Sequence, residues 1–242
     1  GRDRHDLAGV GVVADDHASL ITALDAAAAG EPSPMVATGR VLGDLGPGPV
    51  WVFSGHGSQW DGMGRDLLAD EPVFREVLDL IDPVFLAEIG FSPRAILLHG
   101  PLADVDVIQP MIFAFQAGLN AVLRSRGLAP AAVIGHSVGE VAAGVAAGVF
   151  DLETAARLIC RRSALLRKAA GGGAMAMAQL AFAEAQDRLA GQDDVVAAIA
   201  ASPLSTVISG SPDGVAAISE QWTAEGVMVR AVASNVAFHG PQ

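Results

Sequence analysis

Tyrosine is absent from this 242-residue chain, cysteine occurs once, and basic residues are outnumbered, 15 Lys and Arg against 27 Asp and Glu. The resulting formal charge of -12 argues against nucleic-acid binding, which draws on clustered Lys and Arg to displace phosphate counterions. A lone Cys160 supplies neither an internal disulfide nor a cysteine-based zinc site. It sits in an apolar helical pattern with Leu158, Ile159 and Leu165, and a reducing, cytoplasmic setting is expected. The opening GRDRHDLAGV lacks the apolar core of a signal peptide. The most apolar stretches, such as VAAGVAAGVF, fall far short of the roughly 20 residues a membrane span needs, so a soluble chain without membrane contact is expected. Hydrophobic residues are plentiful, at 51%, against 17% charged, which suits one or two buried cores and excludes intrinsic disorder.

Residues 1–48 read as a small appendage: a β-like run LAGVGVVADD, an Ala-rich helix from His17 to about Ala29, and a strand-like PMVATGRVL, followed by a GDLGPGP linker. From Pro49 the pattern becomes α/β. A buried strand VWVF enters the loop SGHGSQ, and helical segments follow through Ile89. A helix from about Ile108 to Arg126 precedes the strand AAVIG, which turns at HSVGE into the helix VAAGVAAGVF; a further helix spans Asp151 to about Ala169. After Gly171 to Gly173 the succession is strand AMAMAQL, helix AFAEAQDRLA, strands VVAAIAA and STVISG, helix SPDGVAAISEQWTAEG and strand VMVRAV. That β-α-β-β-α-β order is the split βαβ arrangement of a ferredoxin-like unit. The expected fold is therefore α/β, with an α/β-hydrolase-like core containing a parallel sheet over 49–170. A ferredoxin-like small subdomain is inserted over 171–233, and 234–242 returns to the large subdomain.

Gly135-His136-Ser137-Val138-Gly139 lies between an apolar strand and a helix of small residues, the context that makes G-x-S-x-G a nucleophile elbow. Small neighbours allow the tight turn while Ser137 projects its hydroxyl, and the Val138 N–H with the helix N-terminus faces any oxyanion formed there. Six histidines are available as a base. His5 and His17 lie in the appendage, His99 in a turn-like HGP, and His136 is expected to point off the turn the wrong way, as a structural hydrogen-bonding residue. His239, in NVAFHGP, is the candidate to return across a cleft and accept the Ser137 proton. The Gly55-His56-Gly57 loop at a strand end offers the His56 N–H as a second oxyanion donor. Arg162 would grip a carboxylate if it faced the cleft, although on composition alone it reads as a solvated helix charge.

The runs VFSGHGSQWDGMG, DVIQPMIFAFQAGL, VIGHSVGEVAAGVAAG, ARLICRRSALL and VAFH, in that order, resemble the acyltransferase domains of modular polyketide synthases, relatives of malonyl-CoA:acyl carrier protein transacylase. The match covers about 49–242, and 1–48 resembles the later part of the linker between ketosynthase and acyltransferase domains. The resemblance implies Ser137 as nucleophile, His239 as base, the backbone of His56 and Val138 as oxyanion hole, and Arg162 as ligand of the extender's free carboxylate. Gln59 and Gln109 would line the site. No bound cofactor is implied: a malonyl-type CoA thioester is the substrate and the phosphopantetheine thiol of an acyl carrier protein the acceptor, with the ketosynthase and other domains of one megasynthase as partners. The family's loop is usually G-Q-G-S-Q, where this chain has His56. Members also continue for several dozen residues beyond the histidine, so 234–242 is expected to be an incomplete return segment.

The Phe238 ring, beside His239, would occupy the space an α-methyl branch needs, or else anchor the tail in the core. Malonyl-selective members resemble H-A-F-H at this point and methylmalonyl-selective ones Y-A-S-H; this chain has Val236-Ala237-Phe238-His239. Val138 also resembles the branched residue of malonyl types, and malonyl is the expected extender with methylmalonyl as the alternative. Two other classes compete. A thioesterase or esterase would orient its base with an acid between Ser and His, by chain order Asp187, Asp193, Asp194 or Asp213. A non-catalytic module would not need Ser137, His239 and Arg162 together.

Overall fold

The computed structural model describes residues 8–40, 48–102, 104–232, 234 and 236–240. Its contacts divide the chain into two units, Gly1–Pro49 and Val50–Gln242. In the first, β1 (Ala8–Val12) is followed by α1 (His17–Ala29) and by β2 (Val36–Arg40), which pairs antiparallel with β1. A reciprocal cap starts α1: the Ser19 N–H donates to the Asp16 carboxylate at 2.7 Å and the Asp16 N–H to Ser19 Oγ at 3.1 Å. His5, the end of the VATGRVL run and most of the GDLGPGP linker lie outside the described residues.

The second unit opens with β3 (Val50–Phe53), continues through α2 (Arg65–Asp70), α3 (Pro72–Ile89), α4 (Pro93–His99) and α5 (Val105–Ser125), and reaches β4 (Ala132–Gly135). β3 and β4 pair in parallel, from Val50 opposite Ala132 to Phe53 opposite Gly135. They are joined by a helical crossover, as parallel neighbours require. The helices α6 (Gly139–Ala146) and α7 (Leu152–Lys168) follow. Helical spacing of apolar residues packs α3, α5 and α7 together through Phe74, Phe85, Met111, Phe113, Ile159 and Cys160, all fully buried. Burial and the nearby charge of Glu88 push the Cys160 thiol up to about 12. Glu88 also joins α3 to α7, accepting from Arg157 at 3.0 Å and from Arg161 at 2.7 and 2.9 Å.

Four local expectations need correction. VWVF is not buried throughout: Trp51 and Phe53 pack on the core, while the period of two turns Val50 and Val52 to the other face, 53% and 67% exposed. The long helix α5 begins at Val105 and is apolar and long enough to cross a membrane by composition, yet 72% of that window is buried in the protein. Its buried Gln116 donates to the Ser54 carbonyl at 2.8 Å. His99 closes α4 rather than standing in a turn. Only the first part of VAAGVAAGVF is helical, because α6 stops at Ala146, Gly148 adopts φ 75 and Phe150 folds back on Gly144.

The remaining elements are β5 (Ala174–Ala178), α8 (Phe182–Arg188), β6 (Val195–Ser202), β7 (Ser205–Gly210), α9 (Pro212–Ala224) and β8 (Val229–Ala231), the β-α-β-β-α-β succession expected. They form one antiparallel sheet of order β6-β7-β5-β8. Ala176, Ala178 and Ile208 face the helices, around the buried Trp222 of α9. The last described residues close onto this sheet. A Cβ on Gly240 would lie 3.0 Å from both Ser209 Oγ and the Ala237 carbonyl, and one on Gly173 would collide with the Ala237 backbone. The segment around His239 is therefore seated between the start of β5 and the end of β7.

Close packing of α3 on α5 depends on Gly118, where a Cβ would meet the buried Phe74 ring at 2.5 and 2.6 Å. Alanine in a helix interior normally gains about 1 kcal/mol over glycine. Here overpacking of about 1–3 kcal/mol opposes it, so Gly118→Ala is expected to lower stability in urea unfolding; a gain would show that the helices separate easily.

Candidate active site

The site is built on the turn between β4 and α6. The His136 N–H continues the ladder by donating to the Phe53 carbonyl at 2.9 Å, and Ser137 then adopts φ 53. Among the described residues the only other non-glycine with positive φ is His239, at 58. Such a backbone costs about 1–3 kcal/mol and persists where its surroundings over-determine it. Here they do. A Cβ on Gly139 would fall inside the Phe53 carbonyl and one on Gly135 inside the backbone of Glu140, so strand and helix meet with no spare volume. The Gly139 and Glu140 N–H groups donate at 3.0 Å to the carbonyls of His136 and Ser137, and Val138 is locked in the core at 1% exposure. The turn has the strained geometry that lifts a serine Oγ clear of its strand.

Ser137 borders a cavity of about 170 Å³ whose wall also holds His56, Gln109, Phe238 and His239. Five of the eight site candidates thus meet there, although no hydrogen bond joins Ser137 to His239 in this structure. Among the described residues the backbone N–H groups of His56 and Val138 have no hydrogen-bond partner. Arg162 does not line the cavity itself; it is half-buried on α7 and donates through Nη1 to the Oε1 of Gln109, which does. Gln59 stands off the wall and works on the loop, its Oε1 accepting the Gly57 N–H at 2.9 Å. Val138 contributes backbone only.

His136 corrects the sequence reading. Its ring borders the cavity, lies where a Cβ on Gly55 would meet Nδ1 at 2.6 Å, and makes no side-chain hydrogen bond among the described residues. His136 thus packs against the Gly55 end of the His56 loop, and both histidines line the cavity. Five wall residues were not anticipated at all: Met175, Ile199 and Val207, on the sheet face opposite α8 and α9, and Val232 and Ser234, which follow β8. Met175 and Val207 follow from alternation against Ala176 and Ile208. Ile199 does not, because a register shift between Ala197 and Ile199 turns it from the helix side to the cavity side. None of Asp187, Asp193, Asp194 and Asp213 lies on the wall; Asp194 accepts from Ser211 Oγ at the foot of α9. No group of three or more metal-ligating side chains occurs among the described residues.

Electrostatically the site is dry on two sides. Burial pulls the His56 imidazole below its ordinary range. Burial likewise lowers Arg162, with the charge of Glu140 acting the other way. A strained serine, a histidine and the His56 loop with its unpaired backbone N–H border one cavity, and Val138, whose N–H is also unpaired among the described residues, follows the serine.

A family model described as acyl transferase domain matches residues 50–242. The chain belongs to that family. Relatives include the 5-methyl-1-naphthoate synthase of Streptomyces sahachiroi, 52% identical over 233 residues, which are 95% of this chain and 13% of that protein. Among solved structures, the acyltransferase domain of the polyketide synthase PpsC of Mycobacterium tuberculosis is 40% identical with a TM-score of 0.75, over 90% of this chain and 65% of that one. A malonyl-transacylase in complex with a type II polyketide synthase acyl-carrier protein is 30% identical with a TM-score of 0.70, over 79% and 64%. The acyl transferase domain described here thus shares the α/β acyltransferase fold and spans only a small part of the curated relatives it matches.

The depressed His56 pKa gives a direct test of the domain's dry cavity. The neutral form is favoured in the folded state, so protonation is expected at a pH below that of an exposed histidine, and the residue's contribution to stability falls as pH drops through the ordinary range near 6.5. Titration by NMR of the His56 ring checks this; a midpoint at or above the ordinary histidine value near 6.5 would place His56 in water.

Proposed function

We propose that this domain transfers a malonyl-type extender unit from coenzyme A to Ser137 and then to the phosphopantetheine thiol of an acyl carrier protein, within a polyketide synthase. The observation that carries the reading is Ser137 held at φ 53 on a glycine-tight turn, on the same cavity wall as His239. His239 takes the Ser137 proton as Oγ attacks the thioester carbonyl, and the N–H groups of His56 and Val138 receive the oxyanion. Collapse of the tetrahedral species breaks the C–S bond, and the departing CoA thiolate takes the proton from His239. The carrier thiol then attacks the acyl-serine ester by the same steps in reverse, restoring Ser137. No bound cofactor enters.

Arg162, held by Gln109, meets the free carboxylate that distinguishes malonyl from acetyl units, with Gln59 steadying the loop that carries His56. Phe238 presents a flat ring to the α-carbon, which supports malonyl over methylmalonyl; one methyl is worth about 10- to 200-fold in such a pocket. Residues 1–48 would serve as part of a ketosynthase-acyltransferase linker, 49–170 as the α/β-hydrolase-like large subdomain, 171–233 as the ferredoxin-like small one and 234–242 as the return segment of the large subdomain. The carrier protein, neighbouring synthase domains and a cytoplasmic setting complete the reading. The transacylase solved with its carrier protein supports the first of these partners.

Intact mass after incubation with malonyl-CoA is expected to show an acyl adduct on wild type and none on Ser137→Ala. His239→Ala is expected to slow its formation by about 10²–10⁴-fold. The same adduct on Ser137→Ala would remove that serine from the reaction.

Arg162 generates a separate expectation. A desolvated guanidinium left facing a neutral acyl chain disfavours it, so wild type should load malonyl-CoA well ahead of acetyl-CoA and Arg162→Ala should reverse the order. Equal loading of both thioesters by wild type would show that Arg162 reads no carboxylate.

A further inference from the structure

The loop and the tail that border the cavity come from opposite ends of the second unit, and they touch through two rings. His56 and Phe238 lie with centroids 5.6 Å apart and planes tilted by 47°, within the 4.5–7 Å range of favourable ring pairs. Each ring stands on a fixed support. The His56 loop is tied by Ser58, whose Oγ donates to the Gly55 carbonyl at 2.8 Å, and by Gln59 on Gly57. Phe238 follows Val236 and Ala237, 3% and 8% exposed, whose segment is seated on Gly173 and Ser209.

The histidine is not held by hydrogen bonds. Its Nδ1 is buried and has no partner among the described residues, a cost that an apolar side chain at this place would avoid. Burial favours the neutral form of the ring. The imidazole does make the ring contact with Phe238, and both rings border a cavity of only about 170 Å³.

We propose that His56 is a specificity-determining residue of this site: its side chain braces Phe238 against the acyl end of the cavity, so that an unbranched α-carbon is accepted and an α-branched one excluded. The proposal rests on the acyl-transfer reading above and deepens it. His56 acts through Phe238, separately from the oxyanion role of its backbone N–H.

The test is a competition between malonyl-CoA and methylmalonyl-CoA for the 242-residue chain, read as the ratio of the two adducts by intact mass, with near-UV circular dichroism confirming the fold of each variant. Removing the ring in His56→Gln should lower the malonyl to methylmalonyl ratio by about 2- to 12-fold, the span of an aromatic pair's worth. His56→Phe, which keeps a ring, should stay within about twofold of wild type, and His56→Gln should add nothing in a Phe238→Ala background, as expected of residues that act as one unit. An unchanged ratio in His56→Gln, or an equal fall with and without Phe238, overturns the proposal. If His56→Gln does not fold, His56→Phe decides alone, and a ratio more than about fivefold from wild type overturns it. A wild-type domain that loads both thioesters equally, or favours methylmalonyl-CoA, overturns the bracing role and leaves acyl transfer standing. A wild-type domain that forms no adduct with either overturns acyl transfer and the bracing role together.

Discussion

Everything at the site depends on the absence of two side chains. Because Gly135 and Gly139 carry no Cβ, the backbone of α6 lies directly on the ends of β3 and β4, and the turn between them is short enough to force Ser137 into the left-handed region. That strain is confined by packing on both sides: Phe53 and Val138 are buried in the core formed by α3, α5 and α7. The large hydrophobic core is thus the support that keeps one unfavourable backbone angle in place, which is the general relation between rigid scaffolds and strained functional residues.

The second constraint is water exclusion. One wall is the face of the antiparallel sheet that carries Met175 and Val207, and the other is the core side with Gln109 at 1% exposure. The His56 imidazole on the wall and the Arg162 guanidinium behind Gln109 both lose hydration, which lowers the pKa of each. Charge acts more strongly in such low-dielectric surroundings than in water.

Much of this was legible in the sequence where the determinants are local. The elbow is a five-residue pattern with flanks of the right type, and the helices announce themselves by apolar spacing. Features set by contacts across the chain were not. Gln109 and Arg162 find each other between α5 and α7, and no spacing rule in either helix predicts that the amide, rather than the guanidinium, reaches the cavity. Ile199 was hidden by a bulge that reverses the alternation on which strand reading relies. The exposure of Val50 and Val52 was missed because an apolar run reads as buried whichever face is covered, and His136 was misjudged because its neighbour Gly55 lies far away in the sequence.

The central claim, that glycine-tight packing of strand on helix is what presents Ser137, is tested most directly by Gly139→Ala. In an ordinary first turn of a helix this substitution would be neutral or stabilising. Against the Phe53 carbonyl it should lower the melting temperature and abolish acylation of Ser137 together, since the turn must open to admit a methyl group. A Gly139→Ala protein that melts as wild type does and acylates at the wild-type rate would contradict the account.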